Sequence, residues 1–446
     1  MQSRHLRQAI LFLGDLALYI SSIFILWATD LYIRQMDSVF INDYIWGFTT
    51  FLPLFFMVFY IFDLYADEVT MNGITLLKGS INASVVSALL AFLWLHKFRV
   101  FFYVRSILSF VIFAFIIFIL LSLWRRLYFK LFAQRRTILP AILITQSDTI
   151  SEIENEIANR PFCGISITRR FNIKKESIST LQQVLEKEST QYLIVDDDCF
   201  HDSKVVHEVF CSLPLKIDII RLSSFLENLC HSVFIKHIGE HWFIDNLFDS
   251  RKRIHDKMKS LTDRLLAFAL IILLSPLLIF VALIVGVTSG FPIIYSQKRV
   301  GLLGKEFILY KFRSMKKDAE KEGAQWASKN DSRVTTLGGL LRKSRLDELP
   351  QLINILKGEM SFIGPRPERP EFVKKLSLSI PFYNERHLVK PGLTGWAQVS
   401  YKYGMTENDS LIKLQYDLYY IKNRSLVLEL AIILKTIRVI IYQSGT

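Results

Sequence analysis

Four apolar runs near the start of the chain constrain its fold more than any other feature: Ala9–Trp27, Tyr44–Ile61, Ile74–Leu95 and Ile107–Trp124. Each approaches the ~20 residues that a helix needs to cross ~30 Å of hydrocarbon. Water does not reach a bilayer core to satisfy bare backbone, so the runs are expected as four transmembrane helices bundled over residues 1–136. Four crossings return the chain to its starting side. Arg4 and Arg7 before the first run, and Arg125, Arg126, Arg135 and Arg136 after the last, favour the cytoplasm for that side. Lys97, Arg99 and Arg105 in an outer loop, with Asp67 and Glu68 in the inner one, run against this rule. No cleavable signal peptide is expected, because the first run leads into further membrane segments.

The chain is 51% hydrophobic and carries a formal net charge of +13. Such an excess suits anionic headgroups, phosphate-bearing substrates or nucleic acid. Arginine–aromatic interleaving is missing, so lipid membrane and phosphate come first and no nucleic-acid partner is expected. Cys163, Cys199, Cys211 and Cys230 form no CxxC pair and read as reduced thiols. Residues 137–250 change character. Ile138–Ile144 and Tyr192–Val195 read as short buried strands, and Ser151–Ala158 and Thr180–Glu188 as helices. That alternation predicts a small cytosolic, Rossmann-like α/β domain with a parallel sheet. Thr145-Gln146-Ser147-Asp148 after the first strand lacks glycines for a pyrophosphate, so no nucleotide is assigned there. Asp196-Asp197-Asp198 reads as a solvated strand-end loop in preference to a cation site.

A fifth apolar run, Leu265–Val287, follows a basic stretch and has Ser275-Pro276 at its midpoint. Proline inside a helix removes a hydrogen bond and clashes with the preceding turn, so the helix kinks or breaks. Either a kinked fifth crossing or a helix that re-enters on one face satisfies this. Re-entry over 265–287, within the last part of the chain, 251–446, is preferred, because basic groups flank the run on both sides and Lys298–Thr446, which a crossing would place on the opposite side, is built to handle phosphates. The chemistry concentrates in Leu337–Pro370. Asp347 and Glu348 are followed by Leu349-Pro350, and Leu349, Leu352, Ile353 and Leu356 recur at helical spacing up to Gly358. The acids then stand at a helix N-terminus, where orphan N–H groups favour negative charge. Arg342, Lys343, Arg345 and Arg366 surround them in sequence. Such a pair reads either as a helix cap or as a site for a divalent metal and a phosphate. Alternation in Phe307–Arg313 predicts a strand with Lys311 and Arg313 on one face. Arg386-His387 precedes a turn-rich basic stretch, with His387 read as scaffold before acid–base group. Leu426–Tyr442 reads as an amphipathic helix lying on a membrane.

Taken together, Asp263 before the Ser-Pro helix, QKRVGLLGKEFILYKFRSM, LRKSRLDELPQLINILKGEMSFIGPRP, RHLVKPGLTGWAQV and KLQYDLYYIKN resemble the bacterial polyprenyl-phosphate hexose-1-phosphate transferases. The resemblance covers about 262–445, and four preceding helices plus an α/β domain look like the large members of that family. The middle domain departs from them in lacking a glycine-rich turn, and Glu429 stands where aspartate is usual.

The resemblance implies a membrane α-helical plus α/β protein with a monotopic catalytic domain, in the bacterial inner membrane with that domain on the cytoplasmic face. It implies Asp347 as nucleophile on the sugar-linked phosphate of a UDP-sugar, with Glu348 beside it and both carboxylates on Mg²⁺. Undecaprenyl phosphate then attacks the phosphosugar–aspartyl intermediate. Lys311, Arg313, Arg342, Arg366 and Arg386 are the expected substrate contacts, and Ser275-Pro276 the membrane break. The sugar and the oligomeric state, a homo-oligomer included, are not legible. Two rivals stay open: a non-catalytic membrane scaffold, indifferent to Asp347 substitution, and a five-span transferase without covalent intermediate.

Overall fold

The computed structural model describes residues 2–34, 41–65, 73–97, 107–128, 130–131, 139–146, 165–175, 178, 181–188, 190–247, 250–316, 319, 331, 333–401, 404 and 406–441. The chain divides into two compact units, residues 1–139 with 152–165, and residues 140–151 with 166–446. Among the described residues the first holds four helices: α1 (Gln2–Arg34), α2 (Ile41–Ile61), α3 (Gly73–Lys97) and α4 (Ile107–Tyr128). Three contain stretches long and apolar enough to cross a membrane, Ala9–Thr29, Leu76–Trp94 and Val111–Tyr128; the apolar part of α2, Ile45–Ile61, is shorter. Phe48, Phe51, Phe55, Phe59 and Phe113 fill the interior, while Phe12, Phe24, Leu89 and Phe115 point outward. Helices apolar all round suit a lipid surrounding. The ion pair of Asp15 with Arg125 at 2.8 Å is buried inside this unit.

The second unit opens with a sheet of β1 (Leu139–Thr145), β2 (Ile165–Asn172), β3 (Tyr192–Val195) and β4 (Asp218–Arg221) in the order β2-β1-β3-β4. β1, β3 and β4 run parallel, with Ile142 opposite Leu193 and Leu193 opposite Ile219. Buried residues on β1 and β3 explain their continuous apolar runs, as expected for a parallel sheet. α5 (Leu181–Lys187) lies inside the expected Thr180–Glu188, whereas Ser151–Ala158 lies outside the described residues. β2 and β4 were not expected. Arg169-Arg170 interrupts the apolar pattern of β2, and β4 is only four residues long. The aspartates after β3 are held by protein donors: Asp196 accepts from Thr145 Oγ1 at 2.8 Å, and Asp197 from Ser223 N and Oγ at 2.9 Å each. α6 (Ser203–Cys211), α7 (Leu222–Cys230) and α8 (Glu240–Leu247) follow. Cys199, Cys211 and Cys230 are free thiols.

α9 (Ser250–Leu273) and α10 (Ser275–Ser289) form a pair bent by 65° at the expected break. Pro276 falls in the first turn of α10, where it lacks nothing a helix needs, and Ser275 Oγ donates to the carbonyl of Ile272 at 2.8 Å. β5 (Ile294–Val300) and β6 (Glu306–Phe312) form an antiparallel hairpin, with Tyr295 opposite Lys311. Next come α11 (Thr336–Lys343), a 3₁₀ turn (Leu346–Gln351) and α12 (Leu352–Lys357), which ends at left-handed Gly358. β7 (Ser361–Ile363) pairs in parallel with β8 (Gly392–Thr394). α13 (Pro370–Ser379), α14 (Trp396–Ser400), α15 (Glu407–Asn423) and α16 (Leu426–Ile441) complete the chain.

The two arms of the bend pack on different elements, α9 on α12 and α10 on the 3₁₀ turn with α11. Ala267, Leu270 and Ile271 of α9 meet Leu352 and Ile355 of α12. Val281 and Val285 of α10 meet Phe312 and Leu341, with Leu346 and Leu349 against them. The main core joins Trp396, Leu414, Leu418, Tyr420 and Ile432 to Val233 and Ile235, ahead of the expected boundary at residue 251. α16 buries Ile432 there and exposes Leu426, Val427, Leu430 and Ile433.

Candidate active site

Three features of the sequence place the acidic pair. Thr335 caps α11, accepting from Gly338 N at 3.0 Å. Gly338 is required because a Cβ there would collide with the backbone of Ser314, so α11 can approach the end of β6. Arg345 then takes a left-handed conformation (φ 60°) and turns the chain from α11 into Leu346–Gln351. Asp347 and Glu348 lie in the first turn of that 3₁₀ segment, both buried. The expected α-helix from Pro350 is thus preceded by a tighter turn that shifts the phase of the residues after it. Leu352, Asn354 and Ile355 face inward, Leu349 is half-buried, and Ile353 and Leu356 are exposed, which corrects the expected buried face.

The two acids differ sharply. Glu348 Oε1 accepts from Lys311 Nζ at 2.8 Å and Arg366 Nη2 at 2.9 Å, and Arg345 Nη1 lies 3.7 Å from Oε2. Although burial opposes its charge, these three cations hold the Glu348 carboxyl far below the usual range. Asp347 accepts no hydrogen bond from any described side chain. Burial, helped by the adjacent Glu348 charge, pushes its carboxyl up, against the pull of Lys311, Arg342 and Arg345. Two neighbouring carboxyls with pKa values driven apart are a common mark of divided chemical labour. Burial lowers the Lys311 ammonium, which Glu348 partly restores.

Of the expected contacts, Lys311 and Arg366 reach the pair directly. Arg342 stands near Asp347 and donates from Nε to Ser314 Oγ at 3.1 Å. Arg313 follows β6 with its Nη1 buried and unpaired. Arg386 is elsewhere. It is 6% exposed and bound to Asp417 at 2.8 Å, to the Tyr383 hydroxyl at 2.6 Å and to the carbonyl of Arg366 at 3.1 Å. A guanidinium used up in this way cannot grip a substrate; it fixes the backbone of Arg366 instead, a correction to its expected role. His387 is buried, and burial with Arg386 beside it brings its pKa down to about 4. That neutral, enclosed ring suits the scaffold reading.

Sequence reasoning missed Gln398, whose Oε1 accepts from Arg366 Nη1 at 3.2 Å. The only signal was its place in the GWAQV stretch. The glycines around it had no visible purpose in sequence: a Cβ on Gly364, Gly392 or Gly395 would strike backbone of the facing segment. Their closeness lets β7 and β8 pack with Pro365-Arg366-Pro367 against α14.

Magnesium takes one or two carboxylates and completes its oxygens with water and substrate phosphate. Asp347 and Glu348 meet that count, and Asp347 has acceptor capacity to give. No group of three or more His, Cys, Asp or Glu able to hold a metal exists among the described residues, so an all-protein cage does not fit.

A family model described as bacterial sugar transferase matches residues 254–443, the part that carries all of these side chains. The exopolysaccharide production protein PSS of Rhizobium leguminosarum bv. phaseoli is 37% identical over 186 residues, 40% of this chain and 93% of that protein. The chain belongs to the bacterial sugar transferase family. Among larger relatives, the UDP-N-acetylgalactosamine-undecaprenyl-phosphate N-acetylgalactosaminephosphotransferase of Aeromonas hydrophila is 44% identical over 235 residues, 53% of this chain and 55% of the relative. The UDP-glucose:undecaprenyl-phosphate glucose-1-phosphate transferase of Escherichia coli (strain K12) is 33% identical over 299 residues, 63% of this chain and 62% of the relative. The match thus spans little more than half the length of these two bacterial sugar transferases.

Proposed function

We propose that this bacterial sugar transferase moves a hexose-1-phosphate from a UDP-sugar to undecaprenyl phosphate, releasing UMP, as the first membrane step of an exopolysaccharide, capsule or O-antigen. The observation that carries this reading is the contrast within the acidic pair: Asp347 buried and without a described hydrogen-bonding side chain, Glu348 held through Oε1 by Lys311 and Arg366. Asp347 Oδ attacks the sugar-bearing phosphorus, the bond to the nucleotide's phosphate breaks, and a phosphosugar–aspartyl intermediate remains. Undecaprenyl phosphate attacks the same phosphorus from its own oxygen and frees Asp347. Glu348 keeps Lys311 and Arg366 fixed where a phosphate's oxygens come to lie, so charge is stabilised without rearrangement. Mg²⁺ held by Asp347 and Glu348 would reduce the repulsion between an anionic nucleophile and an anionic phosphate.

We also read the chain as three functional parts, 1–136, 137–250 and 251–446, with four crossings and α9–α10 re-entering from the cytoplasmic face. The 65° bend and the exposed apolar surfaces of both arms support shallow insertion, which brings the dyad to headgroup depth where the acceptor phosphate lies. Isotope exchange between labelled UMP and UDP-sugar in the absence of lipid acceptor tests the covalent route. Exchange that depends on Asp347 is expected; none at all would remove the intermediate.

A further inference from the structure

Arg366 divides its fork, Nη2 to Glu348 and Nη1 to Gln398 Oε1. A guanidinium has no acceptor, so the Gln398 amide must turn its oxygen to Arg366 and its nitrogen away. That Nε2 is buried with no hydrogen-bond partner, and so is Nε of Arg299. Arg299 lies on the face of β5 that also carries Tyr295, the residue opposite Lys311. Its Nη1 donates to the carbonyl of Pro367 at 3.2 Å and its Nη2 to Gln297 Oε1 at 2.7 Å, which pins the guanidinium beside Arg366's own segment. Arg369 and Lys413 add positive charge here, and two carboxylates answer it: Glu368, 3.8 Å from Arg299 and acting on Lys413 too, and Asp409, which acts on Lys413. Asp417 is already engaged by Arg386. Burial brings Arg299 down to about 10 and lowers Lys413, and in each case the neighbouring arginines push the same way. Unpaired buried donors beside an excess of cations suit a phosphate monoester.

Resting on the transfer reaction above, we propose that Arg299 and Gln398 form, with Arg366, a second phosphate subsite that holds the phosphate of the departing nucleoside monophosphate. As the Asp347 Oδ–P bond forms, the P–O bond to the nucleotide breaks and its electron pair leaves on the nucleotide's oxygen. Arg366 spans from Glu348 to this subsite, so the donors meet the charge where it develops. A phosphate leaving group stabilised in this way needs no general acid. The placement of His387 agrees: it lines a cavity with Val300, Lys374 and Asn384, and none of the dyad's side chains lines that cavity.

The acceptor lipid also ends in a phosphate, so the test has two arms. The full-length protein is titrated with UMP by calorimetry, and KM is measured for the UDP-sugar and for undecaprenyl phosphate. Gln398→Met and Arg299→Met should each weaken UMP binding about tenfold or more and raise the UDP-sugar KM in parallel. The acceptor phosphate enters in line opposite Asp347, where the nucleotide's phosphate left, so the undecaprenyl-phosphate KM should rise with them. Gln398→Glu, which puts an anion where the donor stands, should weaken UMP further than Gln398→Met. Lys374→Met, on the exposed side of α13, should bind UMP as the parent does. If Arg299→Met lowers Tm steeply, the two Gln398 variants decide. Parental UMP affinity in both overturns the subsite, and so does a rise confined to the undecaprenyl-phosphate KM. Loss of turnover in Asp347→Asn from the same preparation keeps the transfer reading intact under such a result; retained turnover there refutes that reading first.

Discussion

Asp347 and Glu348 share a turn, yet their substitution should have opposite effects on stability. Asp347→Asn removes a charge that burial disfavours, so activity should fall by several orders of magnitude while Tm holds or rises. More than a tenth of parental turnover would exclude Asp347 as nucleophile. Glu348→Gln strands Lys311 and Arg366 without their anion and should destabilise by about 3 kcal/mol, besides abolishing activity. A Tm equal to the parent's would show that the cations find other partners. The raised pKa of Asp347 also fixes the sign of a pH effect. The nucleophile works only when ionised, so the rate should fall as pH drops through a pKa above the ordinary aspartate value of ~3.9. Between that value and the raised one, the folded protein binds more protons than the unfolded chain, so this group's contribution to stability falls as pH rises. An acid limb of kcat/KM at or below ~4 would contradict the assignment. Arg366→Lys keeps the charge but loses the planar fork whose two nitrogens hold Glu348 and Gln398 separately, and should lower kcat/KM about tenfold or more. Near-parental activity at low salt would reduce Arg366 to charge steering.

Among elements, the bent pair matters most, because α10 packs on the Leu346–Gln351 turn and α9 on α12, which continues it. Straightening the bend would therefore pull the two supports of the dyad apart. Pro276→Leu offers α9 and α10 a continuous apolar helix of about 23 residues, roughly 34 Å long, enough to span a bilayer. Activity should be lost, and a cysteine near Lys305 should become partly accessible from outside intact cells. In the parent, cysteines near Arg253 and near Lys305 should both label only after the cytoplasmic face is opened. Outside labelling of the parental Lys305 site would establish a fifth crossing instead. The position of the bend was legible, since proline's missing N–H acts locally. Its angle was not, because that depends on what each arm packs against.

At the scale of the whole molecule, the catalytic core does not begin where the family match does, at residue 254. Val233 and Ile235 are buried in that core, the carbonyl of His231 accepts from Trp396 Nε1 at 2.9 Å, and Glu227 accepts from Lys422 at 2.6 Å and Asn423 at 2.9 Å. A fragment starting at residue 251 should be less stable than one starting at 222 by about 3 kcal/mol or more, read as Tm in the same detergent. Equal Tm values would mean that this segment only rests on the core.

The sequence by itself determined what depends on near neighbours along the chain: the apolar runs, the proline break, the apolar strands β1 and β3, the stop at Gly358 and the adjacency of Asp347 and Glu348. It also carried the family, through motifs whose order is itself sequence. Tertiary structure alone decided which acid is neutralised, because Lys311, Arg345 and Arg366 converge on Glu348 from a strand, a left-handed turn and a loop between prolines. It moved Arg386 from the substrate to Asp417 and Tyr383, and it set Gln398 and Arg299 beside Arg366. Electrostatic pairing depends on distance through space, and residues 37 and 18 positions from Glu348 in the chain reach its carboxylate only once the hairpin, the turn and the Pro365-Arg366-Pro367 segment have packed together.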